Sequence, residues 1–245
     1  MHTLRLKHEF QKVLKDYHVS LATHKTLASA KLALLVGVSA SGRDTIINEL
    51  VKTHEFRYIA SDTTRPPRIN NNVGEVNGRE YWFRTEEEFL DDLKSGKLLE
   101  AEIIHDQQVS GISVREVEEC VRQHKVGITN VDLNVAHIVS AKPDTRAILV
   151  LPPSYDVWMK RLNNRGTMHD TEKVRRLRTA DRILSQLSNW DFIDIVINDN
   201  LSEAVLHVAQ LAQGVHQSSA ERSANLRVAT DLHAAVQTAL QQVSI

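Results

Sequence analysis

The sequence predicts an α/β fold in which a parallel sheet carries helices on both faces. Three observations lead there. Short apolar runs suited to buried strands, such as residues 32–36, alternate along the chain with segments of helical periodicity. The first of these runs passes through a turn of small residues, GVSASGRDT at 37–45, straight into a helix that resumes with apolar residues at Ile46. The chain also holds only nine glycines, where average usage of about 7% would give roughly seventeen. Each should therefore mark a place where the backbone needs one.

The elements follow in order. Leu4, Leu6, Phe10, Val13, Leu14 and Tyr17 recur at spacings that fit one face of a helix over about 4–17. Residues 32–36 are the first strand, and 46–51 continue the helix after the small-residue turn. Residues 56–60 read as a short strand. From 61 to 83, Pro66, Pro67, the asparagines at 70–72, Gly74 and Gly78 predict irregular or edge-strand structure. Thr85 with Glu88 three residues on, followed by Phe89 and Leu90, is a capping box for a helix that ends near Gly96. Residues 98–104 form a strand carrying Glu100 and Glu102; Glu102 and Glu86 to Glu88 are assigned to surface and capping.

Ser113 caps the next helix, which reaches about residue 123. Residues 127–133 and 146–151 are strands, the second stopped by Pro152 and Pro153. A helix at 155–162, a loop at 163–170 and a long basic helix at 171–187 follow, with Arg175, Arg178 and Arg182 read as its solvated face. A final strand at 190–197 leads to a helix at 201–212. Residues 214–223 have the composition of a linker. A last amphipathic helix, 224–243, carries Leu226, Val228, Leu232, Val236 and Leu240, a stripe to be buried in cis or in a homodimer through the terminal helices. The domain reading is a helical extension at 1–30, a central domain at 31–213, and a linker with a C-terminal helix at 214–245.

Composition narrows the function. A net charge of −1 sets up no global field for a nucleic-acid polymer or an acidic membrane. The longest apolar stretch, around 32–40, is too short to span a bilayer, and Arg5, Lys7, His8 and Glu9 break any secretory signal. Cys120 is alone, which excludes an internal disulfide, points to a reducing, cytoplasmic setting, and suits a small buried hydrophobe. The twelve histidines are scattered without metal-ligand spacing, so no zinc site is expected.

The chemistry concentrates in a few stretches. In 37–45, Gly37 and Gly42 occupy the two glycine positions of G-x-x-x-x-G-K-[ST], with Ser39, Ala40 and Ser41 between them. Such a strand–loop–helix turn points backbone N–H groups and a helix N-terminus at an anion, although an ordinary strand–turn–helix corner has the same outline. Arg43 stands where Lys is expected and Asp44 where Ser or Thr is expected, with Thr45 next. Further on come Ser61-x-Thr-Thr-Arg65-x-x-Arg68, Gly74-Glu75-x-x-Gly78-x-x-Tyr81-x-Phe83, Gly96-x-Leu-Leu-Glu100, Asp132, and Arg161-x-x-x-Arg165-Gly166-Thr167 followed by Arg176. Two arginines three apart with a tyrosine hydroxyl suit a phosphate, because guanidinium forks match its oxygens.

From about residue 31 to 212, these stretches resemble the guanylate kinase family. The resemblance implies a P-loop NTPase-like parallel sheet flanked by helices, with a small inserted monophosphate-binding subdomain at about 61–112 and a lid at about 160–180 that close on substrate. It implies transfer of the γ-phosphoryl group of ATP to GMP or dGMP. Arg65, Arg68 and Tyr81, with Glu75, would hold the acceptor phosphate; Ser61, Glu100 and Asp132 would read the guanine edge. That edge offers N–H donors, so acceptors suit it and reject adenine. Gly37, Ser39, Ala40, Ser41, Gly42, Arg43, Asp44 and Thr45 would hold the ATP phosphates, and Asn198 the adenine. Mg²⁺ would fall to Asp44 and Thr45, and the phosphoryl group in flight to Arg43, Arg161, Arg165 and Arg176.

Four departures from the family pattern stand out: Arg43 for Lys, Asp44 for Ser or Thr, Ala40 for the middle glycine, and no tyrosine in His105-Asp-Gln-Gln-Val-Ser-Gly-Ile-Ser113. A carboxylate about 4 Å from a phosphate charge costs roughly 4 kcal/mol at an effective dielectric near 20 and about 1 in water, whereas a bound Mg²⁺ reverses the sign. An active kinase, a catalytically degenerate binding module, and a kinase of a related phosphorylated sugar or nucleotide are the three readings this leaves.

Overall fold

The structure, a computed structural model, describes residues 3–70, 73–104, 106–133, 144–164, 169–187 and 190–243. In chain order, α1 (Lys7–Lys15) and α2 (Leu21–Ser29) precede β1 (Leu32–Gly37) and α3 (Arg43–Lys52). The helix expected over 4–17 is thus shorter, and a second one follows it, capped by Ser20, whose Oγ accepts from the Thr23 N–H. Next come β2 (Phe56–Tyr58), β3 (Ser61–Thr63), β4 (Ile69–Asn70), β5 (Val73–Gly74), β6 (Tyr81–Phe83), α4 (Glu86–Lys94), β7 (Leu98–Ile104), β8 (Gln108–Ser113), α5 (Val114–Arg122) and β9 (Val126–Asn130). The chain closes with β10 (Thr145–Leu151), α6 (Tyr155–Asn163), α7 (Asp170–Leu184), β11 (Ile193–Ile197), α8 (Leu201–Ala212) and α9 (Ser219–Val243).

Two compact units divide these residues: Met1–Lys31 with Arg57–Gly127, and Leu32–Phe56 with residues 128–133 and Thr145–Ile245. The five-stranded sheet has the order β11-β10-β1-β9-β2, and β1 pairs with β10, and β10 with β11, in parallel. Every residue of β1 is buried, as a parallel strand covered on both faces requires. A second sheet, of order β6-β3-β8-β7, is mixed: β3 pairs in parallel with β6 and antiparallel with β8. The strand β8 was not expected; its residues alternate too weakly in hydrophobicity to declare it.

The N-terminal extension is part of the first unit's core. Phe10 of α1 meets Phe89 of α4 edge-on, with ring centroids 6.0 Å apart, and Leu4, Leu93, Leu98 and Val109 close around them. The Thr85–Glu88 capping box forms as expected, with both reciprocal bonds present. Two sequence assignments need correction. Glu86, assigned to the surface, is buried, and its carboxylate accepts from the N–H groups of Arg5 (3.1 Å) and Leu6 (2.7 Å). Ser113 does precede α5, but its side chain makes no capping bond. Cys120 is fully buried, and burial pushes its thiol up to about 12, the behaviour of a packing residue.

In the second unit, the linker is shorter than its composition suggested, and α9 lies against α7 and β11. Ala229, Leu232 and Val236 are buried, so the apolar stripe is covered within the chain. Polar side chains meet the β11 backbone: Gln217 Nε2 and Asn225 Nδ2 donate to the Ile195 carbonyl at 2.8 and 2.7 Å, and Arg222 donates to the carbonyls of Ile193 and Trp190. The edge of the sheet is thereby blunted. Truncation after Gly214 is expected to lower the melting temperature and make the protein prone to associate through β11. Unchanged melting and unchanged sedimentation would show the segment to be a loose tail.

Candidate active site

In the second unit, β1 delivers the chain into the small-residue loop. At Gly37 a Cβ would stand 2.3 Å from the Val150 carbonyl oxygen of β10, so only glycine fits. Gly42 has φ of +99°, and a Cβ there would lie 2.1 Å from Asn198 Nδ2. The loop's carbonyls are pinned: Ser39 O accepts from Trp158 Nε1 (2.7 Å), Val38 O from the Ser41 N–H (3.1 Å), and Ser41 O from Asn198 Nδ2 (2.8 Å). Asn198 is buried, so its amide nitrogen shapes the loop. Gly42 is the N-cap of α3 and offers no side-chain acceptor, so the helix opens with uncapped first-turn N–H groups. That is the arrangement that binds anions.

Ala40 adopts φ of +62°, the left-handed region that glycine tolerates and alanine does not. The departure at this position therefore carries strain. Ala40→Gly is expected to raise stability by about 1 kcal/mol, read as a higher melting temperature.

Asp44 and Thr45 lie exposed in the first turn of α3. Asn130, the last residue of β9, donates through Nδ2 to Asp44 Oδ1. Its own Oδ1, and the hydroxyl of Ser41, are buried without a partner. A carboxylate steadied by an amide, a neighbouring hydroxyl and orphaned polar atoms beside uncapped N–H groups suit a triphosphate with its magnesium ion. Among the described residues, no group of three or more His, Cys, Asp or Glu side chains forms a metal site, so Mg²⁺ would rest on few protein ligands together with phosphate oxygens, its usual habit. Of the expected lid, Arg161 lies in the last turn of α6 and Arg176 on α7 pairs with Glu172 at 2.8 Å. Arg165, Gly166 and Thr167 lie outside the described residues, as does His105. Asp132 is exposed, two residues past the end of β9.

The first unit holds the other half of the expected residues. Arg65 is buried and lies in a bidentate pair with Glu75, Nη1 to Oε2 at 2.6 Å and Nη2 to Oε1 at 2.9 Å, with a third bond from Nη1 to Pro66 O at 2.9 Å. The guanidinium also lies over the Tyr81 ring, 4.6 Å from its centroid. Glu75 accepts from the Arg68 backbone N–H at 2.8 Å, and its bonding to Arg65 holds its carboxyl below the usual range. Glu75 thus positions both arginines, while the Arg68 side chain stands exposed. Those bonds use three of the five N–H groups of Arg65. Ser61 and Tyr81 are register partners across β3 and β6, and Glu100 sits in β7 opposite Ile112.

Several supporting residues escaped the sequence reading. Asp62 is buried between Arg84 (3.0 Å) and Arg115 (3.3 Å), and burial pushes its carboxyl up against the pull of both. Glu116 is buried and accepts from Trp82 Nε1, Arg57 and the Ala60 N–H. Asn130 had one available signal: it stands two residues before Asp132 at the end of a strand.

Comparison with known proteins bears on the family and the fold. The family model for guanylate kinase matches residues 29–214. The guanylate kinase of Corynebacterium glutamicum is 36% identical over 187 residues, covering 75% of this chain and 95% of the relative. That of Rhodococcus jostii is 34% identical over 192 residues, covering 77% and 90%. The crystal structure of guanylate kinase from Anaplasma phagocytophilum superposes with a TM-score of 0.56 over 79% of this chain and 90% of that one, at 20% identity, and so supports the fold. With a family model over most of its length and relatives at 36% and 34% identity, the chain belongs to the guanylate kinase family.

Proposed function

We propose that this protein is an ATP-dependent nucleoside monophosphate kinase that converts GMP or dGMP to the diphosphate. What supports the reading is the family match together with the buried Arg65–Glu75–Tyr81 arrangement, which fixes the guanidinium that would meet the acceptor phosphate. Arg65, Arg68 and Tyr81 orient that phosphate; Ser61, Glu100 and Asp132 present acceptors to the guanine N–H groups. The N–H groups at the start of α3, with Arg43, cradle the donor phosphates. Asp44 and Thr45 would hold Mg²⁺, with Asn130 orienting Asp44. Mg²⁺, when bound, neutralises charge on the phosphate oxygens as a Lewis acid. Arg161, Arg165 and Arg176 stabilise the charge that spreads over the group in flight, and the protein contributes positioning more than covalent chemistry.

The test has two parts. A coupled assay with ATP against GMP, dGMP and AMP should show turnover with the guanine acceptors alone. Calorimetry should show GMP binding and AMP failing to bind; equal affinities would remove the base-reading role of Ser61, Glu100 and Asp132. Binding of GMP without turnover would favour the degenerate-module reading, which the altered residues Arg43 and Asp44 bring into play. Among the described residues, no helix is long and apolar enough to cross a membrane.

A further inference from the structure

A carboxylate is buried where α5 meets β3 and β6. Glu116 stands in the first turn of α5, where the helix dipole favours an acid even in solvent. Its side chain is nevertheless only 4% exposed, and burying a carboxylate is costly unless donors surround it. The donors come from separate stretches of chain. Oε1 accepts from Trp82 Nε1 of β6 at 3.1 Å; Oε2 accepts from the Ala60 N–H at 3.4 Å and from Arg57 Nη2 of β2 at 3.3 Å. Arg115 Nε lies 4.0 Å from Oε1, so two guanidinium groups balance the charge.

Both strand-side donors adjoin residues assigned to the acceptor. Ala60 immediately precedes Ser61, and Trp82 immediately follows Tyr81. Ser61 and Tyr81 are register partners across the parallel β3–β6 pair, as Asp62 and Trp82 are. Alternation along each strand puts the second couple on the face toward α5 and the first on the other. The contacts agree. Arg115 reaches Asp62 at 3.3 Å and the Trp82 ring at 4.6 Å, whereas Arg65 lies over the rings of Tyr81 (4.6 Å) and Phe83 (5.6 Å). The β3–β6 pairing spans only three register pairs, and β6 is the edge strand of its sheet. So short a pairing holds its spacing weakly by itself.

We propose that Glu116 is a positioning residue for the acceptor nucleotide. One carboxylate, bonded to the residue before Ser61 and to the residue after Tyr81, sets the spacing at which the base-reading hydroxyl and the phosphate-binding phenol face the acceptor. It acts through the backbone that enters β3 and through the Trp82 ring. This bracket belongs to the unliganded protein; only its effect on GMP rests on the kinase reading.

The experiment pairs backbone amide hydrogen exchange of the full-length protein with calorimetry of GMP and of ATP, on wild type, Glu116→Gln and Trp82→Phe. Glutamine keeps the shape but offers one acceptor oxygen, so either Trp82 or the Ala60 and Arg57 pair loses its partner. Trp82→Phe removes the Nε1 donor and keeps a ring beneath Arg115. Trp82 is only half-buried, so this variant keeps the fold if Glu116→Gln does not. Expected is faster exchange at 61–63 and 81–83 with β7 of the same unit unchanged. GMP should bind about ten-fold more weakly in Glu116→Gln and several-fold more weakly in Trp82→Phe, with ATP affinity unaltered. Exchange that rises equally in β7 would report a general loss of stability and overturn the proposal. So would unchanged exchange at 61–63 and 81–83, or unchanged GMP affinity in both variants beside a wild type that binds GMP. A wild type that does not bind GMP would sink the kinase reading instead, and the exchange pattern would then decide the bracket alone.

Discussion

Replacing Arg65 by methionine is expected to weaken GMP binding by about a hundred-fold or more and to destabilise the fold at the same time. The first effect follows from losing a charge-assisted fork on the acceptor phosphate, two bonds of about 1.5–3 kcal/mol each. The second follows from burial: Arg65 and Glu75 are 7% and 10% exposed at their side chains, and removing one partner strands the other charge, at about 3–5 kcal/mol. A second variant separates the two effects. Arg65→Met/Glu75→Met should recover much of the stability, because an apolar pair can replace a buried ion pair, but none of the GMP affinity. Arg65→Lys should fall between them, since an ammonium keeps the charge but neither the fork to Glu75 nor the stack on Tyr81. Isothermal calorimetry with GMP, beside urea unfolding, reads both quantities. GMP affinity unchanged in Arg65→Met would show that the acceptor phosphate binds elsewhere.

Removing the Asp44 side chain should have the next largest effect. If Asp44 is a magnesium ligand, wild type binds ATP more tightly with Mg²⁺ than without it. Asp44→Ala then loses that gain, and kcat falls about a hundred-fold or more, since the metal supplies several kcal/mol of charge stabilisation. Asp44→Ser should restore part of the loss, because a hydroxyl also ligates Mg²⁺. The hydrogen bond from Asn130 supports this outcome: it holds the carboxylate in place at the start of α3, where negative charge is also favoured by the helix dipole. The opposite outcome is equally readable. If wild type binds ATP no better with Mg²⁺ and Asp44→Ser tightens binding by roughly 1–4 kcal/mol, the carboxylate repels the triphosphate. Asp44→Ser/Arg43→Lys would then tighten it further, and the degenerate-module reading would replace the kinase one.

What was legible in the sequence is what depends on neighbours in the chain. The β1–loop–α3 turn could be read from Gly37 and Gly42, because left-handed backbone and close approach restrict which residues fit. The Thr85–Glu88 box could be read because its two bonds close within four residues. Residues whose role depends on distant partners could not be read this way. Glu86 looks like a first-turn capping acid until the N-terminal segment, 81 residues away, donates two backbone N–H groups to it. Asp62 is one polar residue in a short strand until Arg84 and Arg115 reach it from α4's approach and from α5. Asn130 and Asp44 are 86 residues apart, and Ser113 reads as an N-cap whether or not its hydroxyl turns to the helix. By itself the sequence determined the α/β alternation, the glycine-bounded strand–loop–helix turn at 37–45 and the Thr85–Glu88 box, since local sterics and charge are properties of short stretches. Only the tertiary structure decided which acids are buried, which carboxylate an amide steadies and which hydroxyl is left without a partner, because burial and hydrogen-bond partners arise only when distant segments pack and exclude water.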